Sequence, residues 1–204
     1  ISKDKNSREL ALKAAHESIV LLKNDGLLPL RKNKYGKIAV IGPCAKDVFM
    51  GGYAGEPYQK VSLFDGIKEK AGSKTELLFA QGVKLTTNAT IPFFNWKLDE
   101  IKFPSREENM KLIKQAVGVA KKADIVILAI GENEHLCREA WAKTHIGDNM
   151  TLDLISQQED LVKAIVETGK PVVVYLMNGR PLSINYIEKN VSAILEGWYM
   201  GQET

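Results

Sequence analysis

Apolar residues along this chain fall into two patterns: short unbroken runs, and stripes at every third or fourth position. The runs are Lys37-Ile38-Ala39-Val40-Ile41-Gly42-Pro43, Thr75 to Ala80, Asp124 to Ile130, Pro171 to Leu176 and Val191 to Glu196. Their length and β-branched content predict strands, and several are apolar at consecutive positions, as strands covered on both faces are. The stripes predict helices. Leu10, Ala11, Ala14, Ala15, Ser18, Leu21 and Leu22 give one over roughly residues 7 to 23, stopped by Asn24-Asp25-Gly26, with Leu27 to Leu30 extended beyond it. Ser62-Leu63-Phe64-Asp65 opens a second, with Leu63, Ile67 and Ala71 on one face and Gly72 as its stop. Ser105-Arg106-Glu107-Glu108 and Ser156-Gln157-Gln158-Glu159 each have the spacing of a capping box. The first leads into the stripe Leu112, Ile113, Ala116, Val117 and Ala120, and the second into a helix that Gly169 ends. Pro181 starts a short helix. Strands alternating with helices predict an α/β fold, a mostly parallel sheet flanked by helices on both sides in flavodoxin-like layering.

Two stretches escape both patterns. Residues 81 to 104 carry Phe93, Phe94, Trp96 and Phe103, and read as a segment whose aromatics cap the core. Gly131 to Met150 is long for a loop inside a compact domain, and its mixture of charged and aromatic residues suits ligand contact or chemistry. It follows a strand. In parallel sheets ligands bind beyond the carboxyl ends of the strands, so Gly42-Pro43, Gly131 to Met150, Met177 to Arg180 and Gly197 to Tyr199 should share one functional rim.

With 204 residues and 45% apolar content the chain can bury one substantial core, and residues 1–204 read as a single domain. A formal charge of +3, with both signs dispersed, gives no footprint for nucleic acid. No stretch is long and apolar enough for a membrane span. The chain opens Ile1-Ser2-Lys3-Asp4-Lys5, with neither a signal-peptide core nor an initiator Met, and reads as the interior of a longer protein. Cys44 and Cys137, far apart in sequence, are not a disulfide framework. Asn88, Asn149 and Asn190 head glycosylation sequons, which matter only in a glycosylating source.

The long loop holds three candidate carboxylates. A general acid needs a pKa raised by partial burial or a neighbouring negative charge. Glu139, beside Ala140 and two residues from Trp141, has a setting that could desolvate it; Glu132, directly after the strand, suits fixing the loop by hydrogen bonds; Glu134 has polar neighbours. The alternative is that all three are solvated or paired with Arg138, Lys143 and Arg180. His135, Cys137, His145 and Asp148 match no standard zinc spacing, so no metal is expected. The turn after Ile41 lacks the Gly-rich dinucleotide fingerprint, and Pro43 removes a backbone donor from a phosphate cradle.

A set of landmarks carries a resemblance. Ala14-Ala15-His16-Glu17-Ser18-Ile19-Val20-Leu21-Leu22-Lys23-Asn24, Leu28-Pro29-Leu30, Ile38 to Pro43, Gly51-Gly52-Tyr53 and Leu63 to Ile67 occur in order. Ala123 to Ile127, Gly169 to Val174, Asn178-Gly179-Arg180-Pro181-Leu182 and Glu196 to Thr204 complete it. Together they resemble the second domain of glycoside hydrolase family 3, a family of β-glucosidases and β-xylosidases. The resemblance implies a six-stranded α/β sandwich that normally follows a barrel. The barrel would supply an aspartate nucleophile and most of the sugar pocket, and the second domain an acid/base glutamate on a long loop. Arg138-Glu139-Ala140-Trp141, followed by Gly147-Asp148-Asn149, looks like that loop, which makes Glu139 the acid/base and Glu134 the alternative. Arg138, Trp141, His145 and Tyr53 are candidate sugar contacts. The resemblance further implies a retaining, exo-acting enzyme with no cofactor, periplasmic or secreted, whose carbohydrate substrate is shared with the barrel. On this reading the chain lacks the barrel and the last part of its own fold, and should hydrolyse nothing alone. A non-catalytic carbohydrate-binding module and a nucleotide-binding α/β module are the rival readings.

Overall fold

A computed structural model describes residues 4–50, 57, 59–88, 101–139 and 149–201. Its centre is a six-stranded sheet built from β1 (Val20–Asn24), β2 (Lys37–Ile41), β3 (Glu76–Ala80), β4 (Ile125–Gly131), β5 (Val172–Met177) and β6 (Ala193–Glu196). The strand order is β1-β6-β5-β4-β2-β3, parallel throughout except for the antiparallel pair β1 and β6. Among the described residues five helices accompany it: α1 (Lys5–Ser18), α2 (Leu63–Ala71), α3 (Arg106–Ala120), α4 (Gln158–Val166) and α5 (Asn185–Asn190). The fold is the expected α/β sandwich.

The unbroken apolar runs fill two cores at once because successive side chains of a strand point to opposite faces. Ala39 and Ile41, Val126, Leu128 and Ile130, and Val172, Val174 and Leu176 pack on one face beneath α3, α4 and α5. Ile38 and Val40, Ile125, Ile127 and Ala129, and Val173, Tyr175 and Met177 pack on the other. There Leu63, Phe64 and Ile67 of α2, together with Leu27, Leu28, Leu30 and Tyr35, form the cover.

Several boundaries differ from the sequence expectation, each for a physical reason. The stripe read as a helix to residue 23 contains α1 and then β1, with Ile19 extended between them (φ −67°, ψ 128°). Ile19 to Leu22 is a consecutive apolar run ending the stripe, and pairing with β6 satisfies its backbone: Val20 lies opposite Glu196 and Leu21 opposite Leu195. Leu10 is 68% exposed, and Ala15 is the one buried residue of α1. Ser62 and Ser105 cap as expected, accepting from the backbone N–H of Asp65 and Glu108. Ser156 does not cap. It adopts φ 65°, and its hydroxyl accepts from Asn109 Nδ2 at 2.8 Å, so α4 begins at Gln158 without a side-chain cap. The short helix begins at Asn185, later than Pro181 suggested. Phe103 is 43% exposed and does not cap the core, while Phe93, Phe94 and Trp96 lie outside the described residues. Among the described residues no helix is long and apolar enough to cross a membrane.

Candidate functional site at the carboxyl edge of the sheet

Because β2, β4, β5 and β6 are parallel, the segments following Ile41, Gly131, Met177 and Glu196 do emerge along one edge. Two glycines let the edge close. A Cβ at Gly42 (φ 131°) would lie 2.0 Å from the carbonyl oxygen of Ala129, and one at Gly131 (φ 145°) 2.0 Å from that of Met177. Each strand end therefore abuts its neighbour's backbone in a conformation L side chains rarely adopt.

The long loop does not leave the edge freely. Residues 132 to 136 turn inward, with Glu132 fully buried and Glu134 and His135 only 4% and 1% exposed. The backbone N–H of Glu132 donates to Met177 O at 2.8 Å. Asn133 organises the turn: its side-chain oxygen accepts from the N–H of His135 at 3.0 Å, and its carbonyl from Leu136 N at 3.0 Å. Arg180, just beyond β5, meets the Glu132 carboxylate with two nitrogens, Nε at 3.0 and 3.1 Å from its two oxygens and Nη2 at 2.6 Å. Burial raises the Glu132 pKa, and the Arg180 hydrogen bonds and charge pull it back down. Glu132 thus fixes the loop, as its place after the strand suggested.

Beyond the turn the chain surfaces. Cys137 and Arg138 are half-buried, and Glu139 is exposed. Arg138 Nε donates to the carbonyl of Glu139 at 3.3 Å. Cys137 Sγ lies 2.8 Å from Tyr199 Oη, and the Tyr199 ring packs against Phe49 with centroids 5.7 Å apart. The rim is thereby stitched from the segments after β2, β4 and β6. Tyr53, Trp141 and His145, with Lys143 and Asp148, lie outside the described residues. Among the sequence candidates the structure brings Glu132, Glu134, Cys137, Arg138, Glu139 and Arg180 to one edge.

The rim is also a desolvated, carboxylate-rich place. Burial raises the pKa of Asp47 and of Glu196, the latter opposed by hydrogen bonds from Trp198 N, Asn178 Nδ2 and Gly197 N. Tyr175 is pushed up to about 12 by burial and by the nearby Glu196 charge. Burial likewise lifts the Cys44 thiol well above its ordinary range, helped by Asp47 and Glu132. No cluster of three or more His, Cys, Asp or Glu suited to a metal occurs among the described residues.

Two supporting side chains escaped the sequence reading. Gln158, fully buried, accepts from Gly131 N (2.9 Å) and donates to Gly131 O (2.8 Å) and Ile155 O (2.9 Å), gripping the last residue of β4. Asn109, also fully buried, holds Lys84 N and reaches Ser156 Oγ and Gln157 Oε1. A signal existed for both: each stands at the first position of its helix's buried stripe, ahead of Ile113, Ala116 and Ala120 in α3 and of Leu161, Val162 and Ile165 in α4.

Residues 19–204 match the family described as the glycosyl hydrolase family 3 C-terminal domain. The chain belongs to that family. The match begins at Ile19, just ahead of β1, so α1 lies outside it. This family 3 C-terminal domain is 40% identical over 203 residues to a β-xylosidase of Formosa agariphila, covering 95% of the chain and 24% of that relative. It is 38% identical to a periplasmic β-glucosidase of Salmonella typhimurium, covering 96% of the chain and 25% of the relative. Among solved structures, a β-glucosidase from Erythrobacter marinus superposes with a TM-score of 0.88 at 35% identity, over 98% of the chain and 27% of its own. The domain therefore spans about a quarter of the length of the curated relatives it matches.

Proposed function

We propose that this domain carries the proton donor of a retaining, exo-acting β-glycosidase acting on β-linked glucosides or xylosides, with Glu139 as acid/base. The observation that carries the reading is the contrast among three carboxylates at one edge. Glu132 is buried against Arg180, Glu134 is buried within the inward turn, and Glu139 stands exposed beyond it. A donor that must reach a glycosidic oxygen brought by another domain needs that exposure. Glu134, which a rearrangement of the turn would have to release, remains the second choice.

In the mechanism, a carboxylate nucleophile from a barrel elsewhere in a longer chain attacks the anomeric carbon while Glu139 protonates the departing oxygen. Glu139 then takes the proton of the water that frees the glycosyl-enzyme, the two carboxyl groups standing ~5–5.5 Å apart. Arg138, Trp141, His145 and Tyr53 are the side chains proposed to contact sugar hydroxyls or the leaving group. The names of the β-xylosidase and β-glucosidase relatives support the substrate class, and a relative named exo-1,4-β-xylosidase from Emericella nidulans, 32% identical, supports exo action. The periplasmic relative supports a periplasmic or secreted setting. A nucleotide site finds no support in the turn after β2, which lacks the Gly-rich fingerprint and where Pro43 offers no backbone N–H to a phosphate.

Glu139→Gln in the full-length protein tests the assignment. Glycosides with poor leaving groups should lose ~10²–10⁴-fold in kcat/KM, the usual worth of a general acid, and activated aryl glycosides far less in the first step. Equal losses on both would move the role elsewhere, with Glu134 next.

A further inference from the structure

The two ends of the long loop, residues 132–136 and 149–153, are tied together in a neck at the sheet edge, and one side chain fastens both sides of it. On the outgoing side Arg180 holds the buried Glu132 through Nε and Nη2. On the returning side its Nη1 donates to Thr151 O at 2.9 Å and its Nη2 to Asp153 O at 3.2 Å. Asn149 Nδ2 crosses the same gap to Leu136 O at 2.6 Å, and Ser183 N donates to Leu152 O at 2.7 Å. Glu139 follows Leu136, on the outgoing side of this neck, by three residues and is exposed. All three guanidinium nitrogens of Arg180 are committed to the protein, and its side chain is 15% exposed, so it is not placed to bind a sugar.

We infer that Arg180 is a positioning residue for proton transfer by Glu139, acting by tying together the two ends of the loop that carries Glu139. The inference rests on the acid/base role proposed for Glu139. Only a planar fork with several N–H donors can grip a carboxylate with two nitrogens and two carbonyls on the opposite strand of the loop at once; a lysine ammonium cannot. The geometry matters because a displacement of ~1 Å in a reacting group can lower a rate by ~10²-fold. Released from Arg180, the outgoing end keeps the Glu132 N–Met177 O and Cys137–Tyr199 bonds but is no longer tied through this side chain to Thr151 and Asp153 on the returning end.

The test uses the full-length protein and aryl and alkyl glycosides graded by leaving-group pKa. Arg180→Met alone would strand the buried Glu132 carboxylate, so the decisive variant is Glu132→Gln with Arg180→Met, which removes both charges and leaves the neck unfastened. Arg180→Lys, which keeps a cation beside Glu132 but cannot span the neck, is the second variant and reads the same way should the double variant not fold. The expected result is a loss of ~10²-fold in kcat/KM on poor leaving groups, with most of the rate kept on a dinitrophenyl glycoside and the basic limb of the pH profile shifted. Uniform loss across the series, or wild-type rates throughout, overturns the inference. Glu139→Gln run beside them separates the two claims. If it shows the leaving-group split and the Arg180 variants do not, the neck is structural only; if it too lacks the split, the acid/base assignment has failed.

Discussion

Replacing Gln158 with Leu should destabilise the chain far more than the loss of one helix residue would suggest. The side chain is fully buried and makes three hydrogen bonds of 2.8 to 2.9 Å, two of them to the backbone of Gly131. The partner β5 cannot take these over: at this level of the ladder its Met177 O already accepts from Glu132 N. Water has no path either, with Ile130, Leu161 and Met177 all closed off from solvent. Each net bond contributes ~0.5–1.5 kcal/mol, and each buried backbone group left without a partner costs ~1–3 kcal/mol. Since these overlap, the expected loss is roughly 3–5 kcal/mol, a large share of the ~5–15 kcal/mol that holds a typical domain together. With a urea m-value of about 2 kcal/mol/M, the midpoint should fall by roughly 2 M at unchanged m. Gln158→Glu keeps the acceptor for Gly131 N but faces two carbonyls with a carboxylate, and should lose at least as much. A midpoint shift of Gln158→Leu below about 0.5 M would mean that Gly131 finds other partners, and that the amide does not hold the end of β4.

Two further outcomes follow from the buried ionisable groups. Burial raises the folded-state pKa of Glu132, Asp47 and Glu196. A carboxyl with a folded pKa above its unfolded value binds its proton more tightly in the fold, so its ionisation opposes folding. Their contribution should make the chain more stable as pH falls from neutral through those raised values, levelling off near the unfolded value of ~4. Urea midpoints taken from about pH 7 to about pH 5 should climb, and a steady fall over that window would contradict the assignment. The two thiols should differ in reactivity: burial raises the pKa of both, but Cys44 is fully buried while Cys137 is half-buried against Tyr199. Iodoacetamide followed by mass spectrometry should find slow, pH-accelerated labelling of Cys137 first, with Cys44 reacting only on unfolding; early labelling of Cys44 would refute the packing described.

What was legible in the sequence was whatever a period can express. Unbroken apolar runs marked the parallel strands because a doubly covered strand leaves no polar alternation to find, and the alternation with helices gave the layering. The run Ile19-Val20-Leu21-Leu22 misled because a four-residue apolar segment fits the end of a helical stripe as well as an edge strand. Its partner is β6, at the far end of the chain, and no local pattern announces that pairing. Ser156 misled in a related way: its spacing to Glu159 is that of a capping box, but Asn109, 47 residues earlier, engages its hydroxyl. The site shows the same division. The carboxylates and Arg180 could be picked out by residue type and by position after a strand. Which glutamate is buried, and which stands exposed, depends on how the loop turns at Asn133, where one short side chain accepts from the backbone N–H of His135 two residues on.

That turn, and the neck above it, depend on side chains being absent from the strand ends. At Gly197 a Cβ would come within 2.2 Å of the Tyr175 ring, and at Gly179 within 2.9 Å of the Tyr199 ring and 3.1 Å of Cys137 Sγ. Like Gly42 and Gly131, these two stand where a parallel strand has just finished and its neighbour moves into the vacated space. Whatever follows a strand end packed this closely starts from a nearly fixed point: Glu132 after Gly131, Arg180 after Gly179, and Trp198 and Tyr199 after Gly197. Glu132, Arg180 and Tyr199 therefore meet at the rim without any of them lying on a regular element. The long loop is tied at both ends by one guanidinium, to Glu132 on the outgoing side and to the carbonyls of Thr151 and Asp153 on the returning side.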